Sequence, residues 1–385
     1  MSVTAARGFE AAGIAAGIKE SGGLDLALVV NTGPRLAAAG VFTSNRVKAA
    51  PVLWSQQVLT GGQVSAVVLN SGGANACTGP QGFKDTHATA ERAAEVLGGH
   101  SAAEIAVAST GLIGVRLPMD KLLPGVAQAA AELSAHGGDR AALAIMTTDT
   151  VPKTAVVQGS GGWTVGGMAK GAGMLAPGLA TMLVVLTTDA DLEPAALDQA
   201  LRAATRTTLD RIDSDGCMST NDTVLLLASG ASGRTPDAGE FAEAVRTVCD
   251  ELGRQLIRDA EGASKDIRID VVGAASEEDA VQVGRSIARN NLLKCAIHGE
   301  DPNWGRVLAA IGTTSAAFEP DRLNVAINGV WVCRQGSVGE DRALVDMRYR
   351  EVVITADLAA GPAAATIRTN DLTADYVHEN SAYSS

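Results

Sequence analysis

Aromatic residues make up only 3% of this 385-residue chain. A core of the size that length allows must therefore come from Ala, Val, Leu and Ile, and the 43 glycines let backbones pack closely. Basic runs are missing too. No stretch of five or more Lys and Arg occurs, and the formal net charge is −12. Such a chain repels phosphate backbones and anionic lipid, so neither nucleic acid nor a membrane surface is an expected partner. No apolar stretch reaches the ~18 residues of a membrane span. Met1 to Ala15 has no charged segment leading into an apolar one, so no secretory signal is read there. Cys77, Cys217, Cys249, Cys295 and Cys333 are odd in number, far apart and without a C-x-x-C pair. That pattern argues against a zinc site or a disulfide framework and fits a reducing cytoplasm.

Two absences bear on chemistry. No G-x-x-x-x-G-K-[ST] string exists, and Gly171-Ala172-Gly173 opens a strand rather than a helix, which argues against a phosphate cradle. No G-x-S-x-G elbow precedes a helix. His87, His100 and His136 lie in polar contexts and read as solvated, while His298 is read at the end of a strand as structural or ligand-facing.

What is present concentrates in Lys170–Asp189. A run of glycines and small residues leads into an apolar, β-branched stretch, Met182–Leu186, with Thr181 at its head. Two readings stay open for Thr181. It is either a strand-initiating residue whose hydroxyl bonds the backbone, or a nucleophile whose own amine becomes the base once the Ala180–Thr181 bond is cut. A free α-amine has a pKa of about 7.7–8.0, so it can accept a proton near neutrality without a histidine. Donors for an oxyanion are then required. Thr110-Gly111, in a turn after a predicted strand, offers a hydroxyl and an unhindered N–H, although a plain strand-end turn looks the same.

The pattern along the chain is strands interleaved with helices, an α/β fold in layers. Strands are predicted at Asp25–Val30, Ala38–Thr43, Ser65–Leu69, Glu104–Ser109, Ala142–Met146, Ile267–Val272 and Leu293–Ile297, with a hairpin of Thr154–Gln158 and Trp163–Met168. The tail adds Val325–Ile327, Val330–Cys333, Val352–Asp357 and Ala364–Arg368. Helices are predicted from Asp85 or Thr86 to Leu97, from Pro194, from Asp237 through Leu256, and near Ser276–Asn290.

The Lys-Gly-Ala-Gly-Met string at 170–174 with its Ala180–Thr181 bond resembles the ornithine acetyltransferases (glutamate N-acetyltransferases) of arginine biosynthesis. Further strings agree in order: Asn70–Gly79, Ser109-Thr110-Gly111, Met146–Thr150, Asp215–Asp222, Asp301–Arg306 and Asp371–Tyr383. The resemblance implies a self-cleaving precursor giving chains 1–180 and 181–385 intertwined as one unit, an α2β2 assembly, and acetyl transfer in two steps in the cytoplasm. It implies Thr181 as nucleophile and Thr110 and Gly111 as the oxyanion hole. Lys170, Glu261, Asn380, Ser385 and one threonine of the Thr147-Thr148 pair match its substrate-contacting positions. Ser385 stands where the family often has threonine. No metal or cofactor is implied, and acetyl-CoA stays open as a second acetyl donor. Self-processed aminopeptidases with an N-terminal nucleophile, and a non-catalytic scaffold, are the alternative classes.

Overall fold

The computed structural model describes residues 2–176 and 182–382. From the N-terminus the chain forms β1 (Phe9–Ile14), β2 (Leu26–Asn31), β3 (Ala37–Phe42), α1 (Ala50–Val58), β4 (Ala66–Ser71), α2 (Gly79–Leu97), β5 (Ile105–Thr110), α3 (Met119–Ala131), α4 (Gly138–Ala144), β6 (Lys153–Gln158) and β7 (Thr164–Lys170). It continues with β8 (Leu183–Thr188), α5 (Pro194–Thr207), β9 (Thr223–Ala228), α6 (Ala238–Arg258), β10 (Asp266–Ala274), α7 (Glu277–Ala288), α8 (Asn291–His298), α9 (Trp304–Ile311), β11 (Asn324–Ile327), β12 (Val330–Arg334), β13 (Ser337–Val338), β14 (Glu351–Asp357), β15 (Ala363–Asn370) and α10 (Ala374–Ala382).

Period-two alternation builds the layers. One sheet runs β1-β2-β4-β5 and a second runs β3-β9-β8-β7-β6. Val29, Leu69 and Ala108 of the first face Met168, Leu183, Val185 and Leu227 of the second across a shared core. The neighbouring residues Val184 and Leu186 point the other way and pack on Leu197, Leu201, Val248 and Leu252 of α5 and α6. On the far side Leu28, Val68 and Val107 pack on Ala90, Leu122 and Val126 of α2 and α3. The result is four layers, helix, sheet, sheet, helix, and central strands such as β8 are buried on both faces. The β5 edge is closed by α1: Ser55 Oγ donates to the Val107 carbonyl at 2.7 Å and Trp54 Nε1 to the Ile105 carbonyl at 2.9 Å.

The second sheet interleaves the chain on either side of the Ala180–Thr181 bond: β9 and β8 sit between β3 and β7. A third sheet, β13-β12-β11-β14-β10-β15, packs Ile269, Val271, Ile354 and Ile367 on Val283 and Ile287 of α7 and Val307 of α9. Asn370, at the end of β15, donates to the Ile257 carbonyl of α6 at 2.8 Å, which ties this sheet to the turn that carries Glu261.

Two predicted strands are helices. Ala142–Met146 falls largely in α4, where three alanines in four residues give strong helix propensity and no β-branched residue resists it. Leu293–Ile297 is α8, started by the Asn290 side chain, which accepts from the Leu293 N–H at 2.9 Å. His298 therefore ends a helix rather than following a strand. The helix expected to start at Asp85 or Thr86 begins six or more residues earlier, at Gly79 with Pro80 in its first turn. Asp85 instead pairs with Arg116 at 3.0 Å, and Thr86 Oγ1 donates back to the Gly82 carbonyl. The other predicted strands and helices are present within a few residues of their expected ends.

Candidate active site

The site lies where β5 and β7 end. Thr110 is the last residue of β5, and Gly111 follows with φ +126°, a conformation that disfavours any side chain. A Cβ there would also lie 2.6 Å from the Gly73 nitrogen. The turn is fixed by the Gly73 N–H donating to the Thr110 carbonyl at 3.0 Å and the Ala74 N–H donating to the Leu112 carbonyl at 3.0 Å. Asn221 clamps both segments, donating to the Ala74 carbonyl at 2.6 Å and the Ser109 carbonyl at 2.8 Å.

Lys170 ends β7 and is only 1% exposed. Its Nζ donates to Thr147 Oγ1 at 2.8 Å and to Thr110 Oγ1 at 3.3 Å, and lies 3.9 Å from Asp149 Oδ2. Desolvation lowers the pKa of this ammonium, while Asp149 pulls it back up. Burial alone would raise the Asp149 carboxyl, but Lys170, Lys153 and the Gly171 N–H overcome it and hold it at about 2. Lys153 bridges Asp149 and Asp259 at 2.6 Å to each.

Glu261 follows α6. Its N–H donates to the Ala172 carbonyl at 3.0 Å, and its Oε2 accepts from Asn380 Nδ2 of α10 at 3.0 Å. Gly262, with φ +60°, lets α10 lie against this turn, because a Cβ there would meet the Tyr376 backbone. Thr373 Oγ1 donates to the Gly262 carbonyl at 2.6 Å and accepts the Tyr376 N–H at 2.9 Å.

Thr110, Gly111, Thr147, Thr148, Lys170, Glu261 and Asn380 all line one cavity. Thr147 is the member of its pair bonded to Lys170, and Thr148 shares the lining. Ala180, Thr181 and Ser385 lie outside the described residues. No histidine is among the described residues lining the cavity. His298 Nδ1 instead contacts Asp371 Oδ2 at 2.9 Å, and His87 stacks on Trp54 at 4.9 Å between ring centroids. Among the described residues no cluster of His, Cys, Asp or Glu is placed to hold a metal ion, and no helix is long and apolar enough to cross a membrane. All five cysteines are free thiols.

Several residues of the site carried no individual signal in the sequence. Asn221 and Asp222 stand in a motif but had no assigned task. Asp222 is fully buried, its Oδ1 accepts the Met182 N–H at 3.2 Å, and its Oδ2 has no partner among the described residues. Burial pushes its pKa well up. Asp149, Lys153 and Asp259 form a charge chain joined across 106 residues of sequence.

Charge of both signs, gathered with hydroxyls around one small cavity, defines an enzyme for small ionic substrates. A model of the ArgJ family matches residues 10–385. The chain is 81% identical to the arginine biosynthesis bifunctional protein ArgJ of Streptomyces coelicolor and 67% identical to that of Thermobifida fusca, over the whole of both chains in each case. A crystal structure of ornithine acetyltransferase complexed with ornithine, from Mycobacterium tuberculosis, is 64% identical. It covers 47% of this chain and 96% of that one, with a TM-score of 0.46. The chain belongs to the ArgJ family.

Proposed function

We propose that this enzyme transfers the acetyl group of N2-acetyl-L-ornithine to L-glutamate in arginine biosynthesis, through an acetyl ester on Thr181. The observation that carries this is the single cavity lined by Thr110, Gly111, Lys170, Glu261 and Asn380. N-acetylornithine has a carboxylate, a neutral amide and a distal ammonium. The Lys170 ammonium meets the carboxylate, and the Glu261 carboxylate meets the ammonium, as charge-assisted bonds in a partly desolvated cavity.

The precursor cuts itself between Ala180 and Thr181, and the chains 1–180 and 181–385 stay together as α2β2 in the cytoplasm. The freed amine of Thr181 takes the proton of its own hydroxyl as the oxygen attacks the acetyl carbonyl. The Thr110 hydroxyl and the Gly111 N–H receive the oxyanion. The amide C–N bond then breaks, the proton passes to the departing nitrogen, and ornithine leaves. The glutamate amine attacks the ester in the same way in reverse, giving N-acetylglutamate. No cofactor takes part, and acetyl-CoA serves as a second donor that acylates the same oxygen. The word bifunctional in the relatives' names supports that second use.

The test is an acetyl-transfer assay with N-acetylornithine and acetyl-CoA as competing donors, beside a denaturing gel. The wild type should run as two fragments, show parallel lines in a double-reciprocal plot, and carry an acetyl group on the 181–385 fragment. Thr181→Ala should run uncut and transfer nothing. An uncut wild type with full activity would overturn the reading.

A further inference from the structure

The strongest feature left unused by that chemistry is the buried carboxylate of Asp149. Its side chain is 0% exposed and is not among the described residues that line the cavity. Oδ1 accepts from the Gly171 N–H at 2.6 Å and from Lys153 Nζ at 2.6 Å. Oδ2 accepts from the Thr147 N–H at 3.0 Å and faces Lys170 Nζ at 3.9 Å. One carboxylate thus holds the backbone of Thr147, whose hydroxyl receives the Lys170 ammonium, and the backbone of Gly171, the residue after Lys170. It fixes both ends of the Lys170–Thr147 bond while supplying the nearest negative charge.

A purely structural ion pair would need only Asp149, Lys153 and Asp259. The charges instead alternate as Asp259, Lys153, Asp149, Lys170, and the chain ends at the cavity. We propose that Asp149 is a positioning residue for acetyl transfer, keeping the Lys170 ammonium charged and directed at the Thr147 and Thr110 hydroxyls. This rests on the reading that Lys170 holds the donor's carboxylate. Other charges bear on Lys170 from the surrounding elements. Lys153 of β6 opposes its charge and so does Lys19 after β1, while Glu261 after α6 and Asp222 before β9 favour it. Asp149 has the largest favourable influence among them. Lys19 is itself held away, donating to the Met146 carbonyl at 2.6 Å and the Leu24 carbonyl at 2.9 Å.

The experiment is the pH profile of kcat/KM for N-acetylornithine in the processed wild-type enzyme and in Asp149→Asn. The amide keeps the shape and one acceptor but loses the charge. Removing an opposite charge at this range lowers an ammonium's pKa by about 1–3 units. The alkaline limb should therefore move down by about that much, a loss of about 10- to 1,000-fold above both limbs, with the ratio of variant to wild type recovering at lower pH. Asp259→Asn is the second variant. It leaves Lys153 less compensated, so the limb should move the same way by less, and this variant carries the test if Asp149→Asn does not fold. An active wild type whose limb stays in place in the variants overturns the assignment of Asp149 alone. An inactive, correctly processed wild type overturns the transfer reading, and this assignment with it.

Discussion

Asp149 and Asp222 are both buried and both lie in the field of Lys170, yet they hold their protons in opposite ways. Asp149 bonds the Gly171 N–H and Asp222 the Met182 N–H, so they flank the glycine-rich stretch from its two ends. Burial pushes up both carboxyls. Around Asp149 two ammonium groups and two backbone donors reverse that push, and it titrates at about 2. Around Asp222 the Met182 N–H does not, and it stays well above the usual carboxylate range. The difference shows that depth sets only the cost of ionising, and that the cations and donors in contact decide whether the cost is met.

Lys153→Met breaks the comparison most severely. It leaves Asp149 and Asp259 without the cation that bridges them, and removing one partner of a buried pair costs about 3–5 kcal/mol. A denaturant titration should show that loss; an unchanged midpoint would mean that Asp149 has other compensation.

Next in size is Thr110→Ala, which removes one of the two hydroxyls that receive Lys170 and, in the proposed mechanism, a donor for the oxyanion. It should lower kcat by about 10²-fold, about 2.7 kcal/mol, with processing and fold retained. Steady-state kinetics on the cleaved protein check this, and an unaltered kcat would remove Thr110 from the chemistry.

Asp222→Asn should have the smallest effect. A carboxyl that already holds its proton resembles an amide in charge, and the amide oxygen still accepts from Met182. At pH 4 the stability change should stay within about 1 kcal/mol. Its signature is in the pH dependence. Asp149, with its pKa lowered from 3.8 to about 2, adds stability of about 2 kcal/mol that is present above pH 4 and is lost as pH falls towards 2. Asp222 has the opposite sign. As pH rises from about 4 towards neutrality the unfolded chain ionises while the native one keeps its proton, so stability declines through that window. In Asp222→Asn that decline should flatten while the acid loss remains. Denaturant midpoints across the range measure both, and an unchanged slope above pH 4 would place the Asp222 proton elsewhere.

Much of the layered scaffold was legible because its signals are local. Short apolar, branched runs mark β2, β4, β5 and β8, Pro194 and Asp237 mark helix starts, and the family resemblance brought Thr110, Lys170, Glu261 and Asn380 into view before any geometry. The failures are equally physical. Five-residue, mostly apolar runs at Ala142–Met146 and Leu293–Ile297 have no period long enough to separate strand from helix, and the alanines and the Asn290 cap decided them. The choice between Thr147 and Thr148 depends on where the Lys170 ammonium points. Asp259 meets Lys153 only because the end of α6 packs beside β6, a contact that no spacing announces.

The interleaving of the second sheet bears on the proposed self-cleavage. The segment 1–180 supplies β3, β7 and β6, and the segment 181–385 supplies β9 and β8, inserted between β3 and β7. Neither segment holds this second sheet whole. Made as separate polypeptides, one would carry a bare two-strand ribbon and the other a split sheet with a gap, each with unpaired edges open to other chains. On the proposed self-cleavage, folding therefore comes before cutting, and a gene divided at that bond would have to assemble two aggregation-prone halves to make what one ribosome makes in a single pass.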